Sequence, residues 1–127
     1  MIDDIRPETD VPSPRQLRPL TPVTFQILVS LTKETMHGYG LKHDVEERTD
    51  GRIRITAGTL YAGLQRMERD GLIRETEPPA GRADEAGTRW RFYAVTALGR
   101  GVLEAELRQM EEDLEAARSL LPRPRGA

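Results

Sequence analysis

The sequence predicts a mainly α fold with a small β-hairpin, arranged as a winged helix-turn-helix followed by a long C-terminal helix. Three observations carry this. Apolar residues recur at helical spacing in three stretches between Thr21 and Gly71, two β-rich segments flank a loop of Pro, Gly and charge, and a heptad pattern runs from Leu103 to Leu121. A chain of 127 residues suffices for one compact domain plus one further element.

Residues 1–20 hold Pro7, Pro12, Pro14 and Pro19 among charges without apolar periodicity, as a flexible arm does. "TPVTFQILVSLTKETM" opens the first helix, with Thr21 as N-cap, Pro22 at its first position, and Val23, Ile27, Leu28 and Leu31 on one broad face. His37 is expected to close this helix by meeting its free carbonyls. "YGLKHDVEERT" resumes helical spacing through Leu41 and Val45 until Asp50-Gly51 marks a turn. "RIRI", residues 52–55, alternates at period two and predicts a half-buried strand.

Thr56 caps the third helix and Gly71 closes it. "LIRETE" and "TRWRFYAV" then form a hairpin around "PPAGRADEAG", with Trp90 packing the hairpin rather than serving a ligand. Thr96 caps a last helix that ends near Leu121, before Pro122 and Pro124. The resulting division is an arm over 1–20, a winged domain over 21–96, a dimerisation helix over 97–121 and a disordered tail over 122–127.

The net charge of −2 is unevenly spread. From Gly51 to Arg100 nine arginines face six acids, a net of +3; from Gly101 to Leu121 two arginines face six acids, a net of −4. A basic middle suits nucleic acid, and an acidic last helix avoids phosphates. The lack of cysteine excludes disulfides and thiolate chemistry. With an acidic start and no apolar run of membrane-spanning length, a soluble cytoplasmic protein without a membrane partner is expected. His37 and His43 are the only histidines, so neither a metal site nor a cofactor is expected. No nucleophile elbow or glycine-rich phosphate loop is present, which argues against an enzyme.

At 100° per residue, Leu60, Leu64 and Met67 share a narrow sector of the third helix that must face the core. Gly58, Ala62, Gln65, Arg66 and Arg69 lie opposite. Small residues let the backbone approach another surface, while Gln65 and the arginines can make paired hydrogen bonds to adenine or guanine edges. The helix start, with hydroxyls of Thr56, Thr59 and Tyr61, suits a backbone phosphate. An exposed face carrying Arg and Gln for solubility alone has equal standing on this pattern.

On the last helix Leu103, Leu107, Met110, Leu114, Ala117 and Leu121 recur at spacings of four and three, a seam for a second copy. Leu98, Val102 and Ala105 lie on another side and hold the helix start to the head.

"MHGYGL" (36–41), "GTLYAGLQRMERDGLI" (58–73) and "RFYAVTALG" (91–99) together resemble the PadR family of transcriptional regulators. The resemblance covers residues from about Thr21 to Leu121. It implies a DNA-binding winged head, a homodimer formed by the last helix, and repression at a palindromic operator relieved by a small-molecule effector. By position it implies that Thr59 and Tyr61 stand at the start of the recognition helix, Tyr39 at the start of the second helix, and Arg89 and Arg91 on the wing facing double-stranded DNA; the mixed charge of the loop "GRADEAGTR" leaves Arg82 to solvent. Multidrug-binding proteins resembling this one stack flat drugs on an aromatic residue of the dimer helix. No aromatic residue follows Ala97 here, so broad drug sensing is not expected. An effector cavity is expected instead between head and dimer helix, near Trp90, Phe92 and the first helix. The competing class is a protein-interaction module whose winged head no longer binds DNA.

Overall fold

The computed structural model describes residues 17–79 and 90–123. Its elements in order are α1 (Pro22–Lys33), β1 (Met36–His37), α2 (Gly38–Arg48), α3 (Ala57–Arg69), β2 (Ile73–Thr76), β3 (Phe92–Val95) and α4 (Ala97–Leu120). The expectations for Arg82, Arg89, residues 1–16 and the end of the tail lie outside the described residues.

Helix starts follow the side chains that cap them. Thr21 accepts from the Thr24 amide with Pro22 next in line, Thr56 accepts from Thr59, and Thr96 accepts from Gly99. Helix ends follow their left-handed residues. Gly71, at φ +83°, lets the Leu72 amide reach the Met67 carbonyl at 2.9 Å and its own amide reach Glu68 at 3.1 Å. Asp50, at φ +55°, ends α2 in the same pattern, with the Gly51 amide on the Glu46 carbonyl at 2.8 Å.

Ile27, Leu28 and Leu31 of α1, Leu41 and Val45 of α2, Leu60, Leu64 and Met67 of α3, Ile73 and Tyr93 of the sheet, and Val102 of α4 form one buried cluster. Burying each such side chain contributes about 1.5–3 kcal/mol. Leu98 joins this cluster beside Val102 and Leu103, which fastens the start of α4 to the head as expected.

The stretch "RIRI" is not a strand. Its amides turn back onto α2 instead: Arg52 bonds the Thr49 carbonyl, Ile53 the Thr49 hydroxyl at 3.2 Å, and Ile55 the Glu46 carboxylate at 3.2 Å. Hydrogen bonds from Lys42 and from the Ile55 amide hold the Glu46 carboxyl below its ordinary value. The alternation survives as burial, since Ile55 is buried and Arg52 and Arg54 are exposed.

The third strand is β1, and the sheet order is β1-β3-β2, antiparallel throughout. Met36 pairs with Tyr93 and His37 with Phe92, while Ile73 pairs with Val95 and Thr76 with Phe92. His37 therefore does not close α1. Its extended backbone turns the imidazole forward, and Nδ1 accepts from the Gly40 amide at 3.0 Å as the N-cap of α2.

Two further expectations change. The arm joins the head from Leu17 onward, because Leu17 and Leu20 pack on the core and Arg18 Nε donates to Glu106 at 2.9 Å. Leu103, expected to face a partner chain, is used up in the head's own core at 5% exposure. Beyond Glu106 every described residue of α4 is exposed, and the helix projects about 20 Å from the head.

A polar belt that periodicity did not indicate ties α1 to α2. Ser30, fully buried, donates to Asp44 at 2.6 Å and accepts from Arg48 at 2.7 Å, and Arg48 also donates to the Gln26 side chain at 2.6 Å. Lys33 completes the belt through Asp44. Burial opposes ionisation of Asp44, but hydrogen bonds from Lys33, Ser30 and Arg48 outweigh it and hold the carboxyl below its ordinary value.

Because the folded carboxyl ionises more readily than the unfolded one, its contribution is whole above the unfolded value and is lost as pH falls through the lower folded value. Urea unfolding between about pH 6 and 2 should show wild type losing stability with acid more steeply than Asp44→Asn, which is the weaker protein at neutral pH. At the head–helix junction, a Cβ on Gly99 would lie 2.2 Å from the Leu72 carbonyl oxygen and 2.8 Å from Val95. Gly99→Ala should accordingly cost about 1–3 kcal/mol in urea unfolding, and a change within error would show that α4 can shift freely on the wing.

Candidate nucleic-acid interface

Helix α3 presents its two faces as its spacing requires. Leu60, Gly63, Leu64 and Met67 are buried, and Gly58, Thr59, Tyr61, Ala62, Gln65, Arg66 and Arg69 are all exposed. Nothing lies within 4 Å of a Cβ built on Gly58, so this corner of the helix stands clear of the rest of the protein. The Thr56 hydroxyl accepts from the Thr59 amide at 3.2 Å and donates to the Thr59 hydroxyl at 3.1 Å, which orders both at the helix start.

The cations on this face are available to a partner. Among the described residues Arg66 has no ion pair, and Arg69 has only its neighbour Asp70 at 4.0 Å while remaining largely exposed. Such exposed pairs contribute little and give way readily to a stronger anion. Arg91, just before β3, stands 4.0 Å from Glu75 of β2 and is likewise exposed.

Around the start of α2 the chain gathers aromatic side chains that sequence reading had placed separately. Tyr39 stands exposed in the first turn, edge-on to His43 at a ring separation of 4.4 Å. Tyr61 of α3 lies over Gly38, where an added Cβ would meet its ring at 3.3 Å. Trp90 packs on His37 at 4.1 Å, and His37 meets Phe92 edge-on at 5.2 Å. Tyr39, Tyr61, Trp90 and Arg91 thus share one cavity of about 580 Å³. Burial pushes the Tyr93 phenol at its floor above the usual value.

This placement corrects the expected effector cavity. Trp90 opens toward α2 and α3 rather than toward α4, and Phe92 is buried beneath the sheet at 1% exposure. Trp90 does pack on the sheet, through His37, but half of it remains accessible. Sequence reading missed His37 as the shared support of α2 and Trp90, because histidine is not among the residues that usually mark an N-cap.

The model of the transcriptional regulator PadR-like family matches residues 27–105, spanning α1 to the part of α4 that packs on the head. The chain belongs to the PadR-like family of transcriptional regulators. It is 33% identical over 91 residues to transcriptional regulator Rv3488 of Mycobacterium tuberculosis, across 71% of this chain and 77% of that protein. An uncharacterised protein of Lysinibacillus sphaericus is 29% identical over 86 residues, covering 68% of this chain and 75% of its own.

Among solved structures, a PadR family transcription regulator from hypervirulent Clostridium difficile superposes with a TM-score of 0.66 at 24% identity, over 80% of this chain and all of that one. A Clostridium thermocellum transcriptional regulator does so at 0.64 and 20% identity, over 94% of this chain and 100% of that one. These structures share the fold: a mainly helical winged helix-turn-helix with a small antiparallel sheet. The family is one of transcriptional regulators rather than of enzymes. No helix among its described residues is long and apolar enough to cross a membrane.

Proposed function

We propose that this PadR-like regulator is a homodimeric repressor that inserts each α3 into the major groove of a palindromic operator. The observation that carries this reading is the exposed α3 face of Gly58, Ala62, Gln65, Arg66 and Arg69, opposite a fully buried Leu60, Leu64 and Met67. Gln65 and Arg66 read base edges. Arg69, Arg89, Arg91 and the hydroxyls of Thr56, Thr59, Tyr39 and Tyr61 meet phosphates.

The dimer forms through α4. Leu107, Met110, Leu114 and Leu121 are 42–67% exposed in one chain and recur along the projecting helix, with Ala117 completing the seam. A stripe of this kind is costly in water, and a second copy removes it. The paired helices then set the two reading faces about 34 Å apart, one turn of the duplex. An effector releases the operator by favouring the unbound state over the bound one.

Fluorescence anisotropy with duplexes from the protein's own promoter, titrated across salt, tests the repressor reading. Log affinity should fall steeply and linearly with log salt; absent or salt-independent binding would favour an interaction module instead. Gln65→Ala and Arg66→Ala should each cost about 1–3 kcal/mol on the operator and less on random duplex, whereas Tyr61→Phe should weaken both alike. Equal losses on operator and random duplex for Gln65→Ala and Arg66→Ala would remove them from base reading. Leu107→Asp combined with Leu114→Asp should sediment as a monomer with the head still folded, and a persisting dimer would place the interface elsewhere.

A further inference from the structure

The cavity between α2, α3 and the start of β3 has the size of a ligand pocket, at about 580 Å³. Its walls are unusual for a solvent-facing surface. Tyr39, Tyr61 and Trp90 are 58%, 56% and 44% exposed and are the only large apolar side chains so exposed among the described residues outside α4 and its C-cap Leu121. Each is nevertheless held in place: Tyr39 by His43, Tyr61 over Gly38 and Trp90 by His37. Aromatic rings that are fixed and uncovered make a stacking platform without a large ordering cost.

The chemistry of the lining selects the occupant. Among the described residues no acidic side chain lines the cavity itself, Glu68 and Glu75 reaching it only through Tyr93 and Arg91, and Arg91 supplies the formal positive charge. An aromatic box of this kind could take a cation, but with a guanidinium in the wall and no carboxylate among the described lining residues, an anion is favoured. The polar groups at the rim are two phenol hydroxyls and the guanidinium, three donors suited to the three acceptor oxygens of a phosphate. Glu75, 4.0 Å from Arg91, is a weak competitor because both side chains are about half exposed or more.

We propose that this cavity binds a free nucleoside monophosphate, with its base stacked on Trp90 and its phosphate held by Tyr39, Tyr61 and Arg91. The proposal rests on the preceding reading, in which Tyr39, Tyr61 and Arg91 face the operator backbone. A nucleotide there takes the donors that duplex phosphates need, so it competes with DNA directly and requires no change in the spacing of the heads. It is a route of regulation separate from any cavity near α4.

Trp90 is the only tryptophan of the chain, so its fluorescence, excited where adenine does not absorb, reports the cavity alone. Titration of the full-length protein with AMP, without DNA, should quench it saturably. Adenosine and inorganic phosphate should each bind about tenfold more weakly, since each fills half the site. Tyr61→Ala and Arg91→Ala should weaken AMP about tenfold, with folding checked by circular dichroism, and AMP should raise the apparent Kd of a labelled duplex linearly with its concentration, about doubling it when AMP equals its own Kd.

Absence of quenching and of calorimetric heat with AMP would overturn the site, as would adenosine binding as tightly as AMP or affinity unchanged in Tyr61→Ala and Arg91→Ala. Quenching by AMP with no displacement of a bound duplex would overturn the competition. A protein that binds AMP but no duplex would uphold the cavity and sink the repressor reading, so the two failures are distinguishable.

Discussion

The carbonyl of Leu72 is where the molecule's two working parts are joined. It accepts from the amide of Thr96 at 3.0 Å while the Thr96 hydroxyl donates to the neighbouring Gly71 carbonyl at 2.5 Å, and it fills the space that any side chain on residue 99 would need. The amide of the same residue closes the last turn of α3 on Met67. One residue therefore ends α3 and begins α4, and with Gly99 pressed against it the angle between the two helices has little freedom. Everything proposed for a dimer depends on that angle, because it sets how the exposed face of α3 stands to the exposed stripe of α4.

The unburied apolar surface gathers in two places. Folding has hidden the leucines and the isoleucine of α1, α2 and α3 almost completely, yet it leaves aromatic rings exposed around the start of α2 and leucines along the free half of α4. Exposed apolar side chains in clusters are costly to keep in water, so both surfaces call for partners. Their chemistry differs. The α4 stripe is aliphatic and flanked by acids, which suits another helix of the same kind, whereas the aromatic surface is bordered by Arg91 and by phenol hydroxyls, which suits phosphate and base.

The polar belt of Gln26, Ser30, Asp44 and Arg48 explains how α1 tolerates polar residues on a buried face. Each buried group has a partner, so the desolvation that would otherwise destabilise the helix pair is offset. Arg18 and Glu106 act similarly at the other end, where a nearly buried carboxylate on α4 is met by the chain entering α1. This contact brings residues 17–20 into the head despite their composition. A proline-rich, charged segment carries no periodicity by which such docking could be recognised.

Much of this protein was legible in one dimension because the signals are local. Caps at Thr21, Thr56 and Thr96, the left-handed turn at Gly71 and the helical spacing of Leu60, Leu64 and Met67 each depend on residues within one or two turns of one another. Three motifs in fixed order then indicated the family. The tertiary structure decided whatever depends on residues distant in sequence. "RIRI" has a strand's alternation, but a strand needs a partner, and the amides were taken by Thr49 and Glu46. Met36–His37 has no such pattern and became a strand because β3 lay beside it. Leu103 fits the heptad as well as Leu107 does, and only the position of the head separates a core residue from a surface one. Periodicity states which residues share a face; which faces are covered is set by long-range packing, and here that packing placed Tyr39, Tyr61 and Trp90 together in the open.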